Sequence, residues 1–177
     1  MSIRSKMTLI LALVMLFTLH LSAQSNTANP QLQVVVGPEA SISVGSSLYT
    51  FSLTGTVFNN YTLNLPFTFK VRTTKSGGSG SLTATFAADF SAADGGTGPS
   101  ISGGDLTYSS STALAGVTTQ SNKTAGVSTA FNVFTFGANL HSANSGTSGS
   151  IDWTLANKPT FETDTYTATV VLTISAS

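Results

Sequence analysis

The chain contains no cysteine. This absence excludes a thiol nucleophile, a thiolate metal site and a lipid-modified cysteine at the N-terminus. It also excludes disulfide bonds, which are the usual covalent support of small exported domains. The stability of the folded chain must therefore come from its core alone.

Charged residues are scarce as well. They make up 8% of the chain, against about a quarter in an ordinary soluble protein. Seven basic residues balance seven acidic ones, so the surface has no electrostatic reason to bind nucleic acid or an anionic membrane. Because hydrophobic residues still make up 41% of the chain, the composition differs from that of a disordered protein. Ser, Thr, Asn and Gly fill the polar positions instead, as in many surface-exposed β-rich proteins.

The first residues have the pattern of an export signal. Arg4 and Lys6 precede an apolar run over residues 8–21, and Ser22 and Ala23 supply the small residues of a cleavage site. The run is shorter than the roughly 20 residues of a membrane span. We therefore expect a cleaved signal peptide over 1–23, a secreted or cell-surface protein, and no stable transmembrane span after cleavage. Cleavage would leave 154 of the 177 residues, with five basic and seven acidic side chains.

Apolar residues recur at every second position through most of the remaining chain. A period of two predicts strands with one buried face and one solvated face. It predicts strands over 31–36, 42–44, 49–57, 61–72, 82–90, 106–108, 151–155 and 166–177. In the last of these, one face carries Tyr166, Ala168, Val170, Leu172, Ile174 and Ala176.

Two irregularities in this pattern make further predictions. The alternation changes phase at Val133 and Phe134, which predicts a β-bulge. Pro66 lies on the polar face of its run, and because proline has no N–H to donate, it predicts a sheet edge or a bulge there.

The predicted fold class is all-β. No segment after the leader has a helical period, and the strands recur at roughly ten-residue spacing with Gly, Asn and Ser between them. We expect an Ig-like antiparallel β-sandwich of about seven to nine strands, with a closed barrel as the alternative. Residues 24–31 are expected to form a polar N-terminal extension, and residues 32–177 a single domain.

Groups suited to catalysis are few. His141 is the only histidine after the leader and lies in a polar loop predicted over 138–150. A triad with Asp152 and a serine has no supporting motif. We therefore expect no enzyme, no catalytic residue and no cofactor.

Binding chemistry has a similarly weak signature. Asp89, Asp94 and Asp105 surround a Gly-rich loop over 91–104, but their spacing matches no EF-hand. We expect these aspartates to form turns and not a metal site. Trp153, the only tryptophan, alternates with apolar neighbours and is expected in the core.

The closing block, from Ile151-Asp-Trp-Thr-Leu to Tyr166 and the alternating last run, resembles the C-terminal end of secreted bacterial β-sandwich subunits. The families in question are the spore-coat-U-like and fimbrial subunits. Many of their members carry a disulfide near the mature N-terminus, and this chain departs from them there. The resemblance implies assembly by strand donation, in which an incomplete sandwich accepts an extended segment of the next subunit.

Two sets of residues would carry such an assembly. The candidate donor is 31–36, with Leu32, Val34 and Val36 as anchors. The other candidate strand-pairing residues, which would help to close the core, are Tyr166, Val170, Leu172 and Ile174. Alternatively, 31–36 is the first strand of its own sheet.

Two functions follow from these observations. The first is a non-enzymatic secreted or cell-surface structural protein, a fimbria- or coat-like subunit that pairs strands with itself or with other envelope subunits. The alternative is a secreted carbohydrate-binding or adhesive module that contacts a glycan through the loops at 91–104 and 138–150.

Overall fold

The computed structural model describes residues 31–53, 55 and 57–177. The predicted signal peptide over 1–23 lies outside the described residues, as does the predicted extension over 24–31 except for Gln31. The chain divides into two units, Met1–Val35 and Val36–Ser177. In the first unit, the described residues 31–35 form no strand and are exposed. All of the described strands belong to the second unit.

The secondary structure of the described residues consists of antiparallel β-strands, without a helix, which confirms the all-β prediction. Seven strands have six residues or more: β1 (Glu39–Val44), β3 (Tyr61–Arg72), β4 (Gly80–Phe86), β6 (Leu106–Thr112), β9 (Phe131–Phe136), β10 (Thr147–Leu155) and β12 (Val170–Ala176). Five strands have two residues: β2 (Ser52–Leu53), β5 (Ser91–Ala92), β7 (Val117–Thr118), β8 (Lys123–Thr124) and β11 (Tyr166–Thr167).

Two larger sheets share one core. The first has the order β1-β3-β10-β6-β8 with β2 beside β3, the second has the order β12-β4-β9-β7, and β11 and β5 form a separate pair. Aromatic rings connect the larger sheets. The ring centroids of Phe69 in β3 and Phe134 in β9 lie 5.6 Å apart, as do those of Trp153 in β10 and Phe86 in β4. Trp153 is 2% exposed, which confirms its predicted place in the core.

The predicted bulge is present in β9. Val133 is the extra residue, because its neighbours Asn132 and Phe134 pair with successive residues of β4. A bulge disrupts the ladder of backbone hydrogen bonds. The facing sheet supplies partners here, since the Tyr108 and Ser110 hydroxyls donate to the carbonyl oxygens of Asn132 and Val133, each at 2.7 Å. These two bonds connect the sheets at the bulge.

The strand predicted over 49–57 is wrong, because only Ser52–Leu53 of its described residues form a strand. Pairing between β1 and β3 ends at Val44 and Phe67, and pairing with β3 resumes at β2 opposite Thr62. Seven residues, 45–51, therefore lie opposite only four residues of β3. Pro66 lies next to the last pair, and its missing N–H prevents the ladder from continuing. Residues 45–51 thus leave the sheet, and we name them the arch.

The predicted last strand is interrupted. Tyr166–Thr167 pairs with β5, whereas Val170–Ala176 pairs with β4. The gap in the chain between β4 and β5 is two residues longer than the gap between β11 and β12. A single continuous strand therefore cannot pair with both β4 and β5. The prediction that Tyr166 shares one strand with Val170 is therefore wrong.

Two other predicted boundaries change. Residues 31–36 belong to no strand, so the interpretation of this segment as the first strand of its own sheet is wrong for the described structure. The loop predicted over 138–150 ends earlier, because β10 begins at Thr147. Gly149 lies in this strand opposite Phe67. Its lack of a side chain leaves room for the ring of Phe67, whose Cε2 would lie 2.7 Å from a Cβ at this position.

Candidate functional site

An open apolar cleft lies beside the arch. Its volume is about 880 Å³, and the segments on its two sides are the arch and residues 161–168. A smaller cavity of about 200 Å³ shares part of this lining, including Tyr49, Phe51 and Phe90. It reaches inward to Phe86 and Trp153. The cleft exists because the arch leaves β3 at Pro66 and does not return until β2.

The rim of the cleft carries exposed apolar side chains. Leu48 is 73% exposed, Val57 77% and Phe58 55%, and all three belong to the lining. Phe58 also has a φ of 64°, which is uncommon for an aromatic residue. Clustered exposed apolar residues of this kind mark interaction sites on soluble domains.

The charged groups of the cleft already have partners within the chain. Glu162 Oε2 accepts a hydrogen bond from the Thr97 N–H at 2.8 Å. The Lys158 ammonium lies 2.5 Å from Oδ1 of the buried Asp105. No buried side-chain polar atom among the described residues lacks a partner. The cleft therefore offers apolar contact and some threonine hydroxyls, but no unpaired charge.

Asp164 and Tyr166 organise one wall of the cleft. The N–H of Asp94 donates to Asp164 Oδ2 at 2.9 Å, and this bond holds the pKa of Asp164 below its ordinary value. Loss of water around the Tyr166 hydroxyl raises its pKa, and the nearby carboxylates of Asp164 and Glu162 raise it further. The Tyr166 hydroxyl lies 2.9 Å from each of the carbonyl oxygens of Thr97 and Glu162, and its single proton is shared between these two acceptors. Tyr166 thus fastens the wall and does not fill the core, contrary to the sequence prediction.

Two of the three aspartates predicted to form turns, Asp89 and Asp105, have carboxylates that accept hydrogen bonds from the loop. Asp89 accepts five hydrogen bonds from the loop that follows β4. Asp105 Oδ2 accepts a hydrogen bond from the Ser100 N–H at 2.9 Å. Among the described residues, no three acidic or histidine side chains are placed to hold a metal ion. The loop over 91–104 is therefore held by the carboxylates that flank it, and it contributes Pro99 to the cleft.

The candidate donor residues are placed for contact with another molecule. Leu32 is 98% exposed, Val34 83% and Val36 62%, and the segment around them forms no strand. Its residues include no charged side chain.

The candidate acceptor strand β12 lies at the edge of its sheet. Val170, Leu172 and Ile174 are partly buried against the core, whereas Val171 on the other face is 53% exposed. The strand contains neither a charged residue nor a proline. The edge strand β1 of the other sheet lies near it, so the edges of both larger sheets meet on one side of the core.

The structure does not assemble a triad from His141 and Asp152. His141 Nε2 lies 3.1 Å from Asn139 Oδ1. Asp152 Oδ1 accepts a hydrogen bond from the Asn64 amide at 2.6 Å, on the outer face of the sheet that contains β3 and β10. Each side chain thus has a different local partner.

The cleft itself was missed by sequence reasoning. Its arch residues alternate like a strand, and the alternation hides their departure from the sheet. Pro66 was the available signal, because a proline beside a paired strand marks the point where a ladder ends.

Among the described residues, there is no helix that is long and apolar enough to cross a membrane. Comparison of the chain with protein-family models, with curated proteins and with solved structures found no match in any of the three.

Proposed function

We propose that this protein is a non-enzymatic structural component of the cell exterior, a secreted or cell-surface subunit that assembles through β-strand pairing in the manner of a fimbria or coat. The observation that supports this proposal is that one chain contains two unusual features. One is an exposed apolar segment outside any sheet, residues 31–36. The other is the uncharged edge strand β12.

The edge of β12 is suited to accept a strand. Natural proteins usually protect such edges with charges, prolines, bulges or a covering element, because exposed backbone groups recruit other chains. β12 has seven residues with regular alternation and no charge or proline, and β1, which lies near it, is not hydrogen-bonded to it. An added strand would satisfy its outward N–H and C=O groups and would cover the partly buried Leu172 and Ile174.

Residues 31–36 are suited to donate that strand. Leu32, Val34 and Val36 fall on one face of an extended chain, and their exposure leaves them available to a second copy. In strand addition the backbone bonds provide affinity and the alternate side chains provide register. Because neither the segment nor β12 is charged, the resulting assembly should depend little on salt.

The test is the size of the native mature protein, measured by light scattering and by denaturing gels run with and without heating. We expect a ladder of bands that collapses to one band on heating. The triple variant Leu32→Asn, Val34→Asn, Val36→Asn should remain monomeric. The matched control Val35→Asn, which changes an equally exposed residue on the opposite face, should still form the ladder.

A single monomer band for the unaltered protein, with and without heating, would refute the proposal. Deletion of residues 24–36 gives an independent check. The donor role requires that this deletion leave a folded, soluble monomer, and unfolding of the domain would count against it.

A further inference from the structure

We infer that the cleft beside the arch binds a neutral hydrocarbon chain, either free or as part of a lipid. This binding site is separate from the assembly role proposed above. It uses the arch and residues 161–168, whereas assembly uses residues 31–36 and the strand β12.

Size and lining support the inference. A volume of about 880 Å³ lies within the range of roughly 300–1,000 Å³ that is typical of small-molecule sites. Tyr49, Phe51 and Phe90 line both parts of the cleft and are partly buried. The inner part reaches Phe86 and Trp153 in the core. The cleft and the smaller cavity share these aromatic walls, so a chain lying along them would approach the core end first.

Charge decides the chemical class of the ligand. Lys158 already pairs with Asp105, so an anionic headgroup would find no free cation. Glu162 and Asp164 already accept hydrogen bonds from backbone N–H groups, so a cationic group would have to compete for them. A glycan requires several convergent polar groups, whereas the Glu162 and Asp164 carboxylates and the Tyr166 hydroxyl are engaged within the chain, which leaves mainly threonine hydroxyls of the lining for such contacts. A neutral apolar chain requires none of them.

The rim provides the second line of support. Leu48, Leu53, Val57 and Phe58 are all exposed and all line the mouth. Phe58 is held there with a positive φ of 64°, and strained backbone of this kind is found preferentially at ligand sites. A bound chain would cover these side chains and remove apolar surface from water.

Trp153 gives a direct readout, because it is the only tryptophan in the chain and lines the inner cavity. The probe is a fatty alcohol that carries bromine at its terminal carbon, since bromine quenches tryptophan fluorescence on contact. We expect saturable quenching of the mature protein, reversed by the same alcohol without bromine. The double variant Leu48→Ser, Phe58→Ser should weaken binding by about tenfold or more, because it removes apolar contact at the mouth.

Val171→Ser is the matched control. Val171 is as exposed as Phe58 but lies on β12, outside the cleft lining, so its binding curve should be unchanged. Circular dichroism of each variant separates loss of binding from loss of fold.

Three outcomes would overturn the inference. The first is an absence of saturable quenching below the solubility limit of the alcohol. The second is equal weakening in Val171→Ser. The third is displacement of the probe by a peptide of residues 30–37, or by a neutral oligosaccharide, under conditions in which the unbrominated alcohol does not compete. These results are independent of the assembly test, because the monomeric triple variant at Leu32, Val34 and Val36 retains the cleft and can be titrated in the same way.

Discussion

Replacement of Asp89 by asparagine should lower the free energy of unfolding by about 2–4 kcal/mol. Asp89 Oδ1 accepts hydrogen bonds from the backbone N–H groups of Phe90 at 2.9 Å and Ile101 at 2.5 Å. Oδ2 accepts from the Ser102 N–H at 3.1 Å and from the hydroxyls of Ser100 and Ser102 at 2.8 and 2.7 Å. One carboxylate thus holds both ends of the loop that leads to the buried Ile101.

The magnitude follows from what an amide can replace. An asparagine has one acceptor oxygen, so its NH2 group faces at least one backbone N–H in either orientation. The serine hydroxyls can rotate to accept a hydrogen bond, but the backbone groups cannot. Each bond to a charged group contributes about 1.5–3 kcal/mol. Because the loop is partly exposed, water replaces some of the lost partners, and the expected loss is well below the sum of five such bonds.

The effect should also depend on pH. Burial alone would raise the pKa of Asp89, but the hydrogen bonds from Ser102, Ile101, Ser100 and Phe90 outweigh it and hold the pKa well below the ordinary value of 3.8. A group whose pKa is lowered by folding stabilises the fold above its unfolded pKa, and this contribution is lost as the pH falls toward the folded value. The difference between the unaltered protein and Asp89→Asn should therefore be full at neutral pH and smaller at about pH 2.5.

Urea denaturation followed by Trp153 fluorescence measures this difference at each pH. Asp94→Asn is the control, because it removes the same charge from an exposed position in the same loop. The reasoning is refuted if Asp89→Asn is as stable as Asp94→Asn at neutral pH, or if its deficit grows as the pH falls.

Three further substitutions test the packing and the free edge. Gly149→Ala should destabilise the fold by about 1–3 kcal/mol, seen as a lower Tm, because its Cβ would lie 2.7 Å from the Phe67 ring. Tyr108→Phe should cost about 1–2 kcal/mol in urea denaturation, because it removes the donor to the Asn132 carbonyl at the bulge. Thr173→Lys should reduce self-association measured by light scattering without a change in Tm, because a lysine on an edge strand opposes strand addition.

The glycine and the lysine substitutions each have a matched comparison. A Cβ at Gly126 meets nothing within 4 Å, so equal effects of alanine at Gly126 and Gly149 would contradict the packing argument. Thr135 is exposed on β9, which lies between two strands. If Thr135→Lys reduces self-association as much as Thr173→Lys, the edge of β12 is not the contact. Unchanged stability of Tyr108→Phe would mean that water satisfies the bulge carbonyl.

Local pattern determined much of the fold. The period of two in residues 61–72 and 151–155 identified β3 and the core of β10, because alternation directly reports which face of a pleated strand is buried. The phase change at Val133 identified the bulge, because an extra residue moves every later side chain to the other face. Trp153 was placed in the core by the same alternation. These features depend on neighbouring residues, so the sequence contains them.

The sequence also identified the donor candidates, but it did not show whether they form a strand of their own sheet. Leu32, Val34 and Val36 alternate like a strand, and alternation describes a strand equally well whether its partner belongs to the same chain or to another. Only the tertiary structure shows that these residues lie outside every sheet.

The cleft and the edges were decided by tertiary pairing. Residues 49–57 alternate as regularly as β3 does, yet most of those described leave the sheet, because Pro66 on the opposite strand cannot continue the ladder. The last strand divides because its partners β4 and β5 are separated by a turn. The Asp89 hydrogen bonds to Ile101 and Ser102 likewise depend on a loop that returns to its own beginning. The sequence by itself determined which side of each strand faces the core. Which strands pair, and where pairing stops, was decided by contacts between residues far apart in the chain, because the period of two carries no information about the partner of a strand.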